Sequence, residues 1–339
     1  MTNFSYRRSI GDGGRLRRIA ESIPTPQRRQ VLVRLRAVSI NFRDNLISAG
    51  RNFRGPVPEN MIPLSDGVGT IEAVGSDVFA WHVGDRVAST FMPRWTAGNI
   101  DRYKAAVVTG TSIDGVLTHW QIFDDDAIVR VPDHLTWHEA ATLPCAALTG
   151  WSAVNGVVPV RAGETVLVLG TGGVALFAAQ FAGIAGARVI LTSSSKAKLD
   201  RTKALGVTDT INYVETPDWH ERVLELTDGA GADHVVETNG PGTFEQSMAA
   251  CRMGGQIYAI GTQSNGAMVD GALVLKARVA LRSVTVGSHE AFAQMNRSLS
   301  THPEIRPVVD RIFSFDEAED ALAYLNSGSH FGKVVIDID

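Results

Sequence analysis

Cysteine is scarce in this sequence: Cys145 and Cys251 are the only two in 339 residues. So few thiols exclude a disulfide framework and fit a reducing compartment. Charge of one sign is missing as well. The 36 acidic side chains against 32 basic ones leave a net charge of −4, with no basic stripe for nucleic acid and no charged tail for a membrane surface. "DDD" at Asp124–Asp126 reads as a solvated turn. Behind the basic residues of "MTNFSYRRSIGDGG" there is no apolar stretch, so no secretory leader is predicted. The nine histidines never take the HExxH spacing, and His134 and His138 straddle a helix start without sharing a face. These absences predict a cytoplasmic protein whose partner is a small molecule, not a nucleic acid or a membrane.

What is present is enough apolar material for two cores: 44% hydrophobic and 20% charged residues over this length make two domains the default. One uncharged stretch, "TVLVLGTGGVALFAAQFAGIAGA" from Thr165 to Ala187, is long enough to span a bilayer. It is not uniform, however. "TVLVL" has strand character, "GTGG" breaks it, and "VALFAAQFAG" has the alanine-rich character of a buried helix. The spacing Gly170-x-Gly172-x-x-Ala175 fits a dinucleotide-binding turn, in which backbone N–H groups approach a pyrophosphate at the positive end of a helix dipole. Gly170, Gly172 and Gly173, with Val174 opening the helix, are therefore cofactor candidates.

The elements after the turn alternate: "RVILT", a helix from about Lys196 to Leu205, "DTINY", a helix near Trp219–Leu226, "DHVVE", a helix from about Thr243 to Met253, "QIYAIG" and "ALRSVTVG". Six strands in this rhythm predict an α/β domain of the Rossmann type, a doubly wound parallel sheet binding its ligand at the strand carboxyl ends. The end of the second strand, "RVILTSSSK", faces the adenosine ribose. An NAD site places Asp or Glu there, whereas this chain has Ser193 and Ser194 to donate to a 2′-phosphate and Lys198 to supply charge, which predicts NADPH. Ser195 is expected to cap the following helix.

The sheet occupies the middle of the chain, so the second domain is assembled from both ends. "QVLVRLRAVSIN", "GVGTIEAVG" and "WHVGDRVAS" read as short strands joined by glycine turns. Thr136-x-x-Glu139 and Ser314-x-x-Glu317 are capping boxes, and "GKVVIDI" is a closing strand. The predicted boundaries are 1–126 for the first part of a β-rich domain, 127–288 for the nucleotide domain, and 289–339 for the return.

In order, "VSINFRDN", "GVGTIEAVGSDV", "VGDRV", "HEAATLPCAALTGW", "VLVLGTGGVALFAAQ" and "FGKVVI" resemble the medium-chain dehydrogenase/reductase family over nearly the whole chain. The resemblance implies a GroES-like catalytic domain beside the Rossmann domain, NAD(H) or NADP(H) as cofactor, and a homodimer or tetramer, here a homodimer. It also implies cofactor contacts at Thr149, Tyr213, Asn239, Gly261 and Lys333. Zinc-dependent alcohol dehydrogenases of this family carry Cys where this chain has Asn41, His-Glu where it has Ser65-Asp66, and Cys at Cys145, together with a four-cysteine lobe absent from "STFMPRWTAGNIDRYK". One thiol with Asn and Ser is a poor zinc set, so no metal is expected.

The catalytic candidates are few. Asn41 either donates a hydrogen bond to a substrate oxygen or braces its loop; Cys145 is either a thiol near the nicotinamide or a small buried residue; Asp44 is expected to tie down backbone or Arg43. The zinc-free relatives that share the "NF-x-D" loop are NADPH:quinone oxidoreductases, many with tyrosines where this chain has Leu46 and Asn52. The same absence weakens a trans-2-enoyl thioester reductase reading, which relies on such a tyrosine. A short-chain dehydrogenase is excluded because no tyrosine takes the Tyr-x-x-x-Lys spacing. The expected function is zinc-independent, NADPH-dependent hydride transfer to a conjugated carbonyl or quinone. The alternatives are alcohol dehydrogenase-like activity on a small alcohol or aldehyde, or a non-catalytic NADPH-binding structural or sensing protein.

Overall fold

The computed structural model describes residues 2–52, 55–261 and 270–338, and the chain divides into two compact units, residues 1–148 with 287–339 and residues 149–286. The first unit begins with β1 (Thr2–Ser9), β2 (Arg15–Ser22), β3 (Gln30–Ile40), helix α1 (Phe42–Ser48), β4 (Asp66–Val74), β5 (Arg86–Ser89), β6 (Trp120–Asp124), β7 (Ile128–Arg130) and α2 (Trp137–Ala140). The second unit opens within α3 (Leu148–Asn155). It continues through β8 (Thr165–Leu169), α4 (Gly173–Ile184), β9 (Arg188–Ser193), α5 (Lys196–Thr202), β10 (Asp209–Asn212), α6 (Trp219–Leu226), β11 (Ala232–Glu237), α7 (Phe244–Ala250), β12 (Cys251–Ala259), α8 (Gly271–Ala277) and β13 (Ala280–Ser283). The chain returns to the first unit as α9 (His289–Thr301), β14 (Val309–Phe313), α10 (Ala318–Asn326) and β15 (Lys333–Asp337).

In the first unit β3 is the organising strand. Its sequence, QVLVRLRAVSI, is dense in the branched apolar residues that pack on a pleated surface. Val31, Val33 and Leu35 enter the core, and after a register shift between Leu35 and Ala37 against β4 the inward phase moves by one residue to Val38 and Ile40. Strand β15 lies between β14, to which it is parallel, and β3, to which it is antiparallel, with Val334 opposite Ile40. Val334 and Ile336 join the same core as Ala318, Ala321 and Leu325 of α10. Strands β1 and β2 pair with each other as a separate hairpin.

The second unit is the doubly wound sheet expected from the alternation. Among the described residues its order is β10-β9-β8-β11-β12-β13, every pair parallel, which is the 3-2-1-4-5-6 arrangement with its switch point between β8 and β11. The long uncharged stretch resolves into β8, a glycine turn and α4. No described helix is long and apolar enough to cross a membrane. Helix α4 is apolar nearly all round, and Ala175 through Ala182 are buried.

The structure revises the expectation in three places. The first junction lies at Leu148–Thr149 and not at 126–127, because β7 pairs with β5 and α2 lies against β3, β4 and β15. The return begins at Gly287, not at 289. Helix α7 ends at Ala250 and not near Met253. Strand β12 starts at Cys251, opposite Ala232, before the register shifts and Gly254 takes a φ of +75°. Both capping boxes are formed, at Thr136 with Glu139 and at Ser314 with Glu317.

Two glycines report opposite constraints. A Cβ on Gly69 of β4 would stand 2.1 Å from the Arg34 carbonyl oxygen of β3, whereas one on Gly183 of α4 would meet nothing within 4 Å. In denaturant unfolding, Gly69→Ala should cost at least about 2 kcal/mol through forced strand separation. Gly183→Ala should instead stabilise by about 0.5–1 kcal/mol through helix propensity. Equal effects would contradict the packing described here.

Candidate active site

The catalytic candidates of the first unit converge where β3 ends and β4 begins. Asp66, the first residue of β4, is fully buried. Its Oδ1 accepts from Ser65 Oγ at 2.6 Å, and its Oδ2 accepts from Ser39 Oγ at 3.4 Å and from the Cys145 backbone N–H at 3.2 Å. Across from it stands Lys333, first residue of β15 and 3% exposed. Its Nζ donates to the Ile40 carbonyl oxygen at 2.7 Å and to Asn41 Oδ1 at 2.6 Å, and lies 4.0 Å from Asp66 Oδ2. Burial pushes the Asp66 carboxyl up and the Lys333 ammonium down, and each opposes the shift of the other by its charge.

Asn41 occupies the N-cap of α1 and Asp44 the third helical position. The Asp44 carboxylate accepts from the Asn41 backbone N–H at 2.8 Å, so it ties down backbone as expected. The Asn41 amide is oriented by chemistry: its oxygen must face the ammonium, which turns Nδ2 the other way. Buried Nδ2 is directed at Asp66, whose carboxyl it helps hold down, but falls short of a well-formed hydrogen bond. Donor capacity of this kind costs about 1–3 kcal/mol while unsatisfied. Arg43, next on α1, donates from Nη2 to Thr111 Oγ1 at 3.2 Å and stacks over Phe91, its guanidinium carbon 4.4 Å from the ring centroid. Arg8 on β1 is 2% exposed, its guanidinium pushed down by burial against the opposing field of Asp44.

Cys145 sits in a π-helical turn, Leu143–Ala147. Cys145 is the third residue of this turn, where N–H groups lack intrahelical partners, and its backbone N–H reaches Asp66. Burial first, and the Asp66 charge second, push its thiol up to about 12. The side chain therefore remains a neutral thiol at working pH. Through its backbone N–H the residue fastens Asp66 to this turn.

The nucleotide candidates lie in the second unit, at the carboxyl ends of its strands. Gly170 turns the chain after β8 with φ +86°, and its N–H bonds the Thr192 carbonyl of β9. Gly172 is the N-cap of α4 and supplies no side-chain cap, so the first N–H groups, including those of Gly173 and Val174, lack an intrahelical or capping partner. A Cβ on Gly172 would meet nothing within 4 Å. That open face beside uncapped amides fits a pyrophosphate. Ser193 ends β9; its Oγ accepts from the Ser195 N–H at 3.3 Å, and Ser195 Oγ caps α5 by accepting from the Lys198 N–H at 3.4 Å. Ser194 is exposed and Lys198 half-buried. Tyr213 follows β10, is 38% exposed, and its N–H bonds the Ser193 carbonyl, which sets it beside the serines. Thr149 begins this unit and is buried.

Glu237, the last residue of β11, was not singled out from sequence. Fully buried, it accepts from the backbone N–H groups of Asn239 at 2.9 Å and Gly240 at 3.1 Å and from the hydroxyls of Thr243 at 2.8 Å and Ser247 at 2.6 Å. It thereby fixes the turn that carries Asn239. The signal available was an acid ending a strand just before "TNG", with hydroxyls six and ten residues on. Gly261 is required nearby, since a Cβ there would stand 2.0 Å from the Thr238 carbonyl oxygen. The Lys333 ammonium donates to Ile40 and Asn41 within the first unit.

Comparison with known proteins agrees with this architecture. Residues 27–133 match the alcohol dehydrogenase GroES-like domain and residues 173–301 the zinc-binding dehydrogenase domain. A zinc-type alcohol dehydrogenase-like protein of Schizosaccharomyces pombe is 40% identical over 91% of each chain. A quinone oxidoreductase of Pseudomonas aeruginosa is 29% identical over 92% of each. The crystal structure of an NAD-dependent alcohol dehydrogenase superposes with a TM-score of 0.88 at 30% identity, covering 100% of both chains. The zinc in the matched description does not fit these residues. Among the described residues no group of three or more His, Cys, Asp or Glu side chains can hold a metal, and the positions at issue carry an amide, a hydroxyl and a neutral thiol beside an ammonium.

The open face at Gly172 gives a direct check on the cofactor cradle. Gly172→Ala has a compatible backbone, φ −77° and ψ 177°, and should change unfolding free energy by about 1 kcal/mol or less. Its methyl group would occupy the pyrophosphate approach, so nucleotide affinity by calorimetry should fall at least about tenfold. Unchanged affinity would remove this turn from the cofactor site.

Proposed function

We infer, from the premise that this chain belongs to the medium-chain dehydrogenase/reductase family, a working chemistry of NADPH-dependent, zinc-independent hydride transfer to a conjugated carbonyl or quinone. That it is an NAD(P)H-dependent oxidoreductase follows from the family; the choice of NADPH and of acceptor comes from its own residues. The edge position of β13, unpaired on its outer side among the described residues, supports a homodimer closed across that edge.

The observation that carries the cofactor reading is the end of β9. No carboxylate stands there to accept from a ribose 2′-OH and repel a 2′-phosphate; Ser193 and Ser194 offer hydroxyls, Lys198 a charge, and Tyr213 lies alongside. When bound, the reduced nicotinamide supplies the hydride. The chain's own part is to hold the nucleotide on the amides of the α4 turn and to receive the negative charge that develops on the acceptor oxygen.

The Asn41 amide, whose oxygen is held by Lys333 and whose Nδ2 makes no well-formed hydrogen bond, supports a role in receiving that charge. Neutral donors stabilise a localised alkoxide less strongly than a metal does. They suffice for an enolate or phenolate, whose charge is spread by conjugation. Hydride delivered to the β-carbon of an enone, or to a quinone, meets that condition. A proton from solvent then completes the reduction, since the neutral Cys145 thiol is held high and Asp66 is enclosed.

Two measurements test these choices. Ser193→Asp should reverse a preference for NADPH into one for NADH, each by at least about tenfold in Kd. A parent protein that binds NADH as well as NADPH would end that reading. Against a panel of enones, quinones, aldehydes and alcohols, consumption of NADPH should be confined to conjugated acceptors, and Asn41→Ala should lower kcat by about a hundredfold, near 3 kcal/mol for one oxyanion donor. Vigorous oxidation of simple alcohols without added metal would favour the alcohol dehydrogenase reading instead.

A further inference from the structure

We propose that the inward-facing guanidinium of Arg8, together with that of Arg43, forms a carboxylate-binding subsite in the first unit, and that the conjugated acceptor reduced here carries a carboxylate. Two adjacent arginines on β1 set the contrast. Arg7 faces outward, where Nη2 lies 2.9 Å from Glu21 and Nη1 3.5 Å from Asp114. Arg8 shares the opposite face with Tyr6, as the alternation of a strand requires, and is 2% exposed. Its backbone is fully committed: the N–H donates to the Met61 carbonyl at 2.9 Å, and the carbonyl accepts from the Asn60 N–H at 3.0 Å. Its side chain is not. Nε, Nη1 and Nη2 are all buried, and none meets an acceptor among the described residues.

A guanidinium stays charged in a protein and only donates, so it is satisfied by an oxygen brought to it. Among the described residues the one carboxylate whose field acts on Arg8 is Asp44, which already accepts from the Asn41 N–H at 2.8 Å. Arg43, whose field Arg8 also feels, is the second half of the subsite. Its Nη2 is held by Thr111 Oγ1 at 3.2 Å and its guanidinium lies over Phe91, which leaves buried Nη1 set in direction and without an acceptor. Two enclosed charges that repel each other are balanced by an anion between them. The planar fork of arginine matches the two oxygens of a carboxylate, and a rotamer change along the Arg8 stem can bring it to an anion that Arg43 holds, since the strand fixes only its backbone. Arg43 stands two residues after Asn41 on the first turn of α1, within about 5 Å along the axis, so the carboxylate and the reacting carbonyl belong to one small molecule. For a 4-oxo-2-enoate, the hydride of NADPH forms the new C–H bond at C2, the alkene electron pair moves into the C3–C4 enolate, and a solvent proton ends on C3. NADPH leaves as NADP+, and the carboxylate is unchanged. This choice of substrate rests on the hydride-transfer reading above; the anion subsite does not.

The test compares (E)-4-oxopent-2-enoate with its methyl ester as acceptors for the full chain. The parent should reduce the acid with a kcat/KM at least about a hundredfold above that of the ester, and Arg8→Met and Arg43→Met should each bring that ratio to about threefold or less. Arg8→Lys, which keeps the charge and loses the fork, should keep an intermediate ratio. An ester reduced as well as the acid by the parent overturns the proposal, as does a preference that survives both Met substitutions. Where Arg8→Met does not fold, Arg43→Met carries the same comparison. Binding is read apart from turnover, as the melting temperature with saturated 4-oxopentanoate against neutral 2-pentanone: the acid should raise it in the parent and in neither Met variant. Protection by the acid with no NADPH consumed on either acceptor removes the hydride-transfer reading and the substrate named from it, while the subsite stands. No protection by the acid removes the subsite. Equal protection by sodium chloride at the same concentration makes it an unselective anion site and overturns the claim on the substrate.

Discussion

A buried ammonium ties together the two ends of this chain. Lys333 opens the last strand, yet its Nζ is held by Ile40 and Asn41, which close the third. Nothing in the burial of Val334, Ile336, Val38 and Ile40 alone fixes which residue of β15 meets the end of β3; apolar strands with one face inward slide by two residues at little cost to pattern. A charge that cannot be left unpaired removes that freedom. A slip by two would carry Nζ away from Asn41 Oδ1 and Asp66 and leave three buried polar groups to find other partners. The register of β15, the orientation of the Asn41 amide and the surroundings of Asp66 are therefore one constraint seen from three sides.

The second unit solves a different problem with backbone alone. Its turn after β8 needs a positive φ at Gly170, an open face at Gly172 and no capping side chain, so that the amides of α4 remain available to an anion. Such a turn is poorly stabilised by itself. What holds it is the packing of α4 along its length, with Ala175 through Ala182 buried, and the bond from the Gly170 N–H to the Thr192 carbonyl, which fixes the turn to β9. On the far side of the switch point Glu237 plays the equivalent part, fastening the β11 turn through two backbone N–H groups and two hydroxyls.

Local features were legible in the sequence and long-range ones were not. The two capping boxes, the cap of α5 by Ser195, the backbone role of Asp44 and the doubly wound parallel sheet all follow from residues within a few positions of one another or from a regular alternation. The engagement of Lys333 spans 292 residues to Asn41, and no spacing rule encodes it. The π-helical turn at Cys145 escaped for a related reason: Leu143–Ala147 has ordinary helical composition, and the wider winding shows only in the bond from the Leu148 N–H to the Leu143 carbonyl, five residues back. The β1–β2 hairpin, with four arginines between Arg7 and Arg17 and little alternation, gave no strand signal of its own. The junction misplaced at 126 reflects β7, three residues long, whose membership in the first sheet is decided by pairing with β5.

The chemistry proposed for this site is consistent with the kind of charge it contains. A metal ion is a mobile double charge that demands anionic or strongly basic ligands, and its neighbours must be thiolates, imidazoles or carboxylates. An ammonium is a single charge on a stem, satisfied by a carbonyl, an amide oxygen and a distant carboxylate, which are the groups found around Lys333. The weaker field suits a substrate that carries part of the burden itself by spreading its developing charge over a conjugated system. Substitution at the ligand positions, the neutral Cys145 thiol, the oriented Asn41 amide and a delocalising acceptor then form one self-consistent set, in which changing any member alone would strand the others.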